Sequence, residues 1–368
     1  MVIGNGFWIN ITLFHSLGRG QLIAQATYIK ESGCLLLTSA IAQGESSMPR
    51  RIRDSVIVIT GASSGIGRAT ALEFAKQGAT LLLAARREAA LQDVAQQCKQ
   101  LGGQALAVPT DVTDESAVQA LARRAIENFG RLDVWVNNAA VSLFARFEDV
   151  PPEAFRRVID TNLFGYVHGA RAALPYFREQ GSGILINVSS VVAITGQPYT
   201  SPYTISKYAI RGLSDSLRME LYLDNAPDIH VCTVLPASID TPIFQHAANY
   251  TGRKTKALSP VYPAKDVAEA IVGLVNRPQR EIIVGQAGYL LALEKTLAPD
   301  LEERMMARQV DQDHFQDKKP AAPTDGNLFQ PMEDYTGISG NWLGTGGMTT
   351  QDVWDMARQV ARVFGMQV

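Results

Sequence analysis

Between Ser55 and Val284 the chain alternates short β-branched or leucine-rich runs with amphipathic helical stretches, and this alternation constrains the fold more than any other feature. The runs are Val56–Thr60, Thr80–Ala85, Gln104–Pro109, Val134–Asn137, Ile184–Ser189, Ile229–Leu235 and Glu281–Val284. Strands that are apolar along nearly their whole length are buried on both faces of a sheet. The intervening helices supply that cover and make parallel pairing the natural arrangement. With right-handed crossovers the expectation is an α/β fold, a doubly wound, Rossmann-like parallel sheet of about seven strands with helices on both faces.

The chain divides by pattern into an N-terminal extension (1–52), a Rossmann-fold domain (53–285) and a partly helical C-terminal extension (286–368). Residues 1 to about 54 show no sustained period and are expected to be irregular. Met48-Pro-Arg-Arg-Ile-Arg-Asp-Ser leads straight into the first strand, so a start of translation at Met48 is preferred over a functional arm. After Gly285 the strand pattern stops. Gln286 to about Gln309 reads as helix, and 311–347 is polar with scattered Pro and Gly. In Thr350 to Met366 the apolar residues Val353, Trp354, Ala357, Val360, Ala361 and Phe364 recur at helical spacing. Such a stripe docks on its own domain or on a partner subunit. Membrane attachment is disfavoured, because the polar face is not strongly basic.

Composition excludes several classes of function. The chain of 368 residues is 46% hydrophobic and 19% charged, with a formal net charge of −2, so nothing points to nucleic acid or an anionic surface. Its three cysteines, Cys34, Cys98 and Cys232, are far apart and form neither a disulfide framework nor a metal motif. A cytoplasmic location is expected, and no metal. No window carries the roughly eighteen uninterrupted apolar residues of a spanning helix. The signal-like run Cys34 to Ala42 follows Lys30 and Glu31 too late in the chain to suggest secretion.

The first strand runs into Thr60-Gly-Ala-Ser-Ser-Gly-Ile-Gly67 and then a helix. Gly61, Gly65 and Gly67 allow a tight turn and close approach of a pyrophosphate. Ser63, Ser64 and Ile66 stand between them, where a helix start offers free N–H groups and a positive dipole end. The second strand ends Ala84-Ala85-Arg86-Arg87, where a cofactor with a free ribose 2′-hydroxyl would meet a carboxylate. Ala85 takes that place and Arg86 follows. A guanidinium can grip a 2′-phosphate, so the expected cofactor is NADP(H). The plainer alternative is a solvated arginine pair at a helix start.

Beyond the fifth strand stand Ser189-Ser190 and then Tyr203-Thr-Ile-Ser-Lys207. Tyr and Lys four apart lie on one helix face, one turn from each other. An ammonium beside a phenol favours the phenolate and brings its pKa toward working pH, making Tyr203 a usable acid and base. Ser190 offers a hydroxyl to the same substrate oxygen.

The glycine motif, Asp111-Val112, Asn137-Asn-Ala-Ala140, Asn162, Ser190 and Tyr203/Lys207 come in one order and register. Together they resemble the short-chain dehydrogenase/reductase family over about residues 53 to 285. The resemblance implies that Tyr203 exchanges the proton, that Ser190 polarises the carbonyl, and that Lys207 lowers the Tyr203 pKa and holds the nicotinamide ribose. It implies that Asn162 binds a water in a proton relay. Asp111 and Val112 would contact adenine, Asn138 would lie beside the ribose, and Ile239 and Thr241 would meet the nicotinamide carboxamide. Family members are commonly dimers or tetramers packed through the helices carrying Asn162 and Tyr203. Two departures are Ala140 and Ala237, where the family usually has Gly.

The expected substrate is a hydrophobic ketone, aldehyde or secondary alcohol, in a pocket built from Val141–Phe147, Val191–Tyr199 and Pro242–Tyr262. In the last segment His246, Tyr250, Lys254 and Lys256 read as solvated loop side chains. A redox-sensing binding protein would be expected to have lost Tyr, Lys or Ser, and none is lost. An epimerase or dehydratase would more commonly carry T-G-x-x-G-x-x-G.

Overall fold

A computed structural model of the protein describes residues 52–343, side chains of 317–319 excepted, together with the backbone of three N-terminal strands. The chain separates into two compact units, Met1–Pro49 and Arg50–Val368. In the first, Phe7–His15 pairs antiparallel with Val2–Ile3 and with Leu22–Lys30. This ladder replaces, over these residues, the irregular extension that the sequence suggested. Phe7–His15 is rich in aromatic and β-branched types that favour a pleated backbone, a signal outweighed in the sequence by its lack of a clean period. The expected start at Met48 and the helix Thr350 to Met366 lie outside the described residues.

The second unit holds a seven-stranded parallel sheet. Its strands are β1 (Val56–Thr60), β2 (Thr80–Ala85), β3 (Gln104–Pro109), β4 (Val134–Asn137), β5 (Gly183–Val188), β6 (Ile229–Pro236) and β7 (Glu281–Val284), in the order β7-β6-β5-β4-β1-β2-β3. All seven expected runs are strands; the fifth is displaced by one residue at both ends and the sixth is longer by one.

Alternation within each strand divides two cores. Ile57, Ile59, Leu81, Leu83, Val134, Val136, Ile184 and Ile186 face α1 (Gly65–Lys76), α2 (Glu88–Gln100) and α7 (Ala264–Asn276). Val56, Val58, Leu82, Trp135 and Leu185 face α3 (Glu115–Phe129), α5 (Gly165–Gln180) and the end of α6 (Ser201–Leu223). Each such side chain, taken fully from water, contributes roughly 1.5–3 kcal/mol. Strand order reverses between β1 and β4, and the carboxyl ends of the strands open a crevice there.

Two local features position side chains at that crevice. Between α4 (Pro152–Ile159) and α5 the helix widens into a π turn, Asp160–Phe164, which holds Asn162 fully buried. The expected single helix over 286–309 is two, α8 (Gln286–Leu297) and α9 (Pro299–Asp313). The chain breaks at Ala298, whose backbone is not helical, and Pro299 opens the second helix where its missing N–H costs nothing. The polar stretch that follows includes a strand, Phe315–Pro320, paired antiparallel with Arg253–Thr255.

Candidate active site

The glycine turn is shaped by contacts that exclude a side chain. A Cβ on Gly61, at φ +68°, would come within 2.7 Å of the Ala139 Cα, and one on Gly67 within 2.2 Å of the Gly61 oxygen. Asn138 fastens the turn to β4: its Nδ2 donates to the oxygens of Thr60 (2.9 Å) and Gly61 (3.2 Å). The sheet is braced below by buried amides, with Asn137 Nδ2 donating to Asn187 Oδ1 at 2.9 Å. Helix α1 has no side-chain cap. Its first N–H, from Gly65, donates to the Gly337 oxygen at 3.0 Å. No described residue accepts from the N–H groups of Ile66 and Gly67.

Neither arginine after β2 is solvated. Arg86 donates from Nη2 to the Asn327 oxygen (2.5 Å) and from Nη1 to the Leu328 oxygen (3.1 Å). Arg87, 8% exposed, donates to both Ser63 and Ser64 Oγ and to the Met332 and Asp334 oxygens. The tie from Arg87 to the glycine turn was not legible beforehand, because a guanidinium at a helix start reads as a surface group. Next to Arg86, the Asp111 carboxylate is paired with Arg157 at 2.7 Å. Burial opposes its ionisation, but hydrogen bonds from Thr113 and Arg157 hold it below the ordinary carboxylate range. Val112 is buried, and its oxygen lies 2.9 Å from His168 Nδ1.

Tyr203 and Lys207 stand one turn apart near the start of α6. The Lys207 Nζ lies 5.3 Å from the centroid of the Tyr203 ring and donates to the Val188 oxygen at 2.9 Å. Burial dominates both groups, pushing Tyr203 up to about 12 and Lys207 down to about 7. A hydrogen bond with Ser190 pulls Tyr203 the other way. The sequence pointed to an ammonium that would draw the Tyr203 pKa down; burial of the phenol acts in the opposite direction.

Ser190 itself caps the turn after β5, accepting from the Val192 N–H at 3.3 Å. Asn162 grips the backbone of Val141 through both amide atoms, accepting at 2.8 Å and donating at 2.9 Å. It thus fixes the segment that leaves β4.

One cleft is lined by all the expected site residues except Gly67 and Asn162, which lie just behind it. Ile239 and Thr241 lie on it opposite the glycine turn; a Cβ on Gly65 would be 3.2 Å from the Thr241 Cβ. The departure at Ala237 is accommodated by Gly285, where a Cβ would be 2.8 Å from that of Ala237. The three expected wall segments all contribute, through residues such as Phe144, Val192 and Phe244. Phe147 does not, being 67% exposed. Walls the sequence did not reveal come from the C-terminal extension, with Leu290, Leu291, Glu294, Met306 and His314 on the cleft. His246, expected in solvent, is 5% exposed, with its Nε2 3.1 Å from the Asp334 oxygen. Chain 330–335 covers it, a long-range contact without local signature. Tyr250 bonds through its hydroxyl to Asp325 at 2.7 Å. No group of three or more His, Cys, Asp or Glu suited to a metal occurs among the described residues. No helix among them is long and apolar enough to cross a membrane.

A doubly wound sheet with Tyr, Lys and Ser gathered beside a glycine-lined helix start defines a nucleotide-binding oxidoreductase of the Rossmann type. Residues 55–251 match the model of the short chain dehydrogenase family. The chain belongs to that family. It is 41% identical over 261 residues to the uncharacterized oxidoreductase YxnA of Bacillus subtilis, covering 70% of this chain and 73% of that one. It is 39% identical over 268 residues to the probable oxidoreductase EphD of Mycobacterium tuberculosis, covering 68% of this chain and 45% of that larger protein. Among solved structures, the alcohol dehydrogenase of Thermococcus sibiricus complexed with 5-hydroxy-NADP matches with a TM-score of 0.55 at 29% identity. That match covers 62% of this chain and 95% of the other. A short chain dehydrogenase from Mycobacterium paratuberculosis bound to NAD shares the fold, with a TM-score of 0.57 at 24% identity over 66% of this chain and all of the other.

Proposed function

We propose that the protein is an NADP(H)-dependent oxidoreductase that interconverts a hydrophobic ketone or aldehyde and its alcohol, with Tyr203 exchanging the proton. The observation that carries this reading is the meeting of Ser190, Tyr203 and Lys207 on the cleft that also holds the glycine turn. The turn fits a dinucleotide: Gly61 and Gly67 leave no room for side chains, and the N–H groups of Ile66 and Gly67 point from a helix start. When bound, the nicotinamide supplies or accepts the hydride. Tyr203, protonated at neutral pH, donates its phenolic proton to the carbonyl oxygen in reduction and recovers it in oxidation. Ser190 hydrogen-bonds the same oxygen as charge develops there. Lys207 would hold the nicotinamide ribose, with Ile239 and Thr241 at the carboxamide and Asn138 near the other ribose.

Arg86 supports the choice of NADP(H), since its half-buried guanidinium stands where a free 2′-hydroxyl would want a carboxylate. Asp111 and Val112 would flank the adenine. Asn162 would act by positioning the chain after β4 and by holding a relay water. Phe144, Leu290, Leu291 and Met306 favour an apolar substrate body. Exposed Phe164, Ile205, Tyr208 and Met219 on the helices of Asn162 and Tyr203 favour a homo-oligomer. The buried thiols of Cys98 and Cys232 suit a reducing cytoplasm.

A panel of apolar carbonyl compounds, followed at the NADPH absorbance with NADH alongside, tests the reading. Oxidation of NADPH in preference to NADH by several members is expected. No turnover with either would overturn it.

A further inference from the structure

Chain 327–342 forms no helix or strand, yet it borders the cleft and is tied at intervals to the residues around it. At the Asp111 end, Arg157 Nε joins Arg86 on the Leu328 oxygen, at 2.8 Å. Arg87 takes the Met332 and Asp334 oxygens, and Arg68 Nη1 the Thr336 oxygen at 3.0 Å. The Gly337 oxygen takes the first N–H of α1. At the far end the Asp240 carboxylate accepts from Ser339 Oγ (2.5 Å) and from the N–H groups of Gly340 (3.0 Å) and Trp342 (2.8 Å). The segment therefore visits, in order, the places assigned above to adenine, 2′-phosphate, pyrophosphate and carboxamide.

Two observations say that it roofs the cleft rather than plugs it. First, its acceptors for the arginines are neutral main-chain oxygens. No carboxylate of the segment hydrogen-bonds to Arg86 or Arg87, although Glu333 and Asp334 are at hand. Neutral acceptors hold a guanidinium in place and leave its charge to draw a phosphate. Second, it takes only the outermost N–H of α1, leaving those of Ile66 and Gly67. Asn327, Pro331 and Met332 remain on the cleft wall. The Asn327 Oδ1 is buried with no partner, the kind of acceptor that a ribose hydroxyl or adenine amine would satisfy.

We propose that residues 327–342 are a coenzyme belt: a wall of the dinucleotide site beneath which the coenzyme threads, and which must open for it to enter or leave. The proposal rests on the reading of this cleft as a nicotinamide dinucleotide site.

Both ends of the belt are held through glycines. A Cβ on Gly326, at φ +52°, would lie 2.2 Å from the His246 oxygen, and one on Gly340 would lie 2.4 Å from the Thr241 oxygen. Gly326→Val and Gly340→Val therefore lift one end each without touching the sheet. In the unaltered full-length protein, NADPH should slow amide exchange across 327–342. In each variant NADPH should dissociate about tenfold faster or more, with turnover at saturating NADPH not reduced in proportion. Faster exchange of 327–342 on adding NADPH would show that belt and coenzyme compete, and would overturn the proposal. So would unchanged dissociation in variants whose 327–342 amides exchange faster. If the unaltered protein binds neither NADPH nor NADH, it is the reading of the cleft that fails.

Discussion

Arg87 holds the Ser63 hydroxyl through two nitrogens, Nε at 3.3 Å and Nη2 at 3.0 Å, and so locks the second strand's exit to the glycine turn. Its neighbour Arg86 instead donates to the oxygens of Asn327 and Leu328. The two adjacent arginines thus have separable work.

Arg86→Ala is expected to weaken NADPH more than NADH by about 1.5–3 kcal/mol, the loss of a charged hydrogen bond to the phosphate, because its tie to the belt serves both coenzymes. Arg87→Ala should weaken both coenzymes, because it loosens the turn itself. Titration of each variant with both coenzymes checks this. An equal loss of NADPH and NADH in Arg86→Ala would show that Arg86 does not read the phosphate.

Lys207 makes a pH-dependent contribution to stability. Burial lowers its folded pKa to about 7 from the ordinary 10.5, so between these values the unfolded chain binds the proton that the folded chain does not. Stability then rises with pH across that window, and the full cost of the buried charge is present below about pH 7. Lys207→Met should remove this slope and raise the melting temperature most at low pH. The Val188 oxygen keeps a donor in the Tyr166 hydroxyl at 2.8 Å. Thermal melts of both proteins from pH 6 to 10 would contradict this if their difference did not change with pH.

Gly169→Ala tests the bracing beneath the site. The added methyl would stand 2.2 Å from Asn137 Oδ1 and 2.5 Å from Trp135 Nε1, which bond to each other at 2.8 Å. The better helix propensity of Ala gives back only about 1 kcal/mol. Crowding of a fully buried polar pair should prevail, with a net loss on the order of 1–3 kcal/mol in denaturant unfolding. A variant as stable as its parent would show that the pair yields freely.

The sheet was legible because burial on both faces leaves a continuous apolar run, which few other structures produce. Placement of Ser190, Tyr203, Lys207 and the glycine turn was legible for a related reason. Each sits at a strand end or helix start, where local sequence fixes position. The belt was not, since Arg86, Arg87 and Arg68 hold it by main-chain oxygens, which every residue carries. His246 was misread in consequence, its cover lying 88 residues away. The desolvation of Tyr203 and Lys207 was not legible either, because spacing reveals a neighbour's charge but not how much water the fold removes.

Replacement of Tyr203 by Phe tests the central claim most directly. The ring and its packing against Lys207 remain, and only the phenolic oxygen is lost. Reduction of an accepted carbonyl should fall by roughly 10²–10⁴-fold, with NADPH binding, measured by coenzyme fluorescence, largely retained. Normal turnover by Tyr203→Phe would contradict the account.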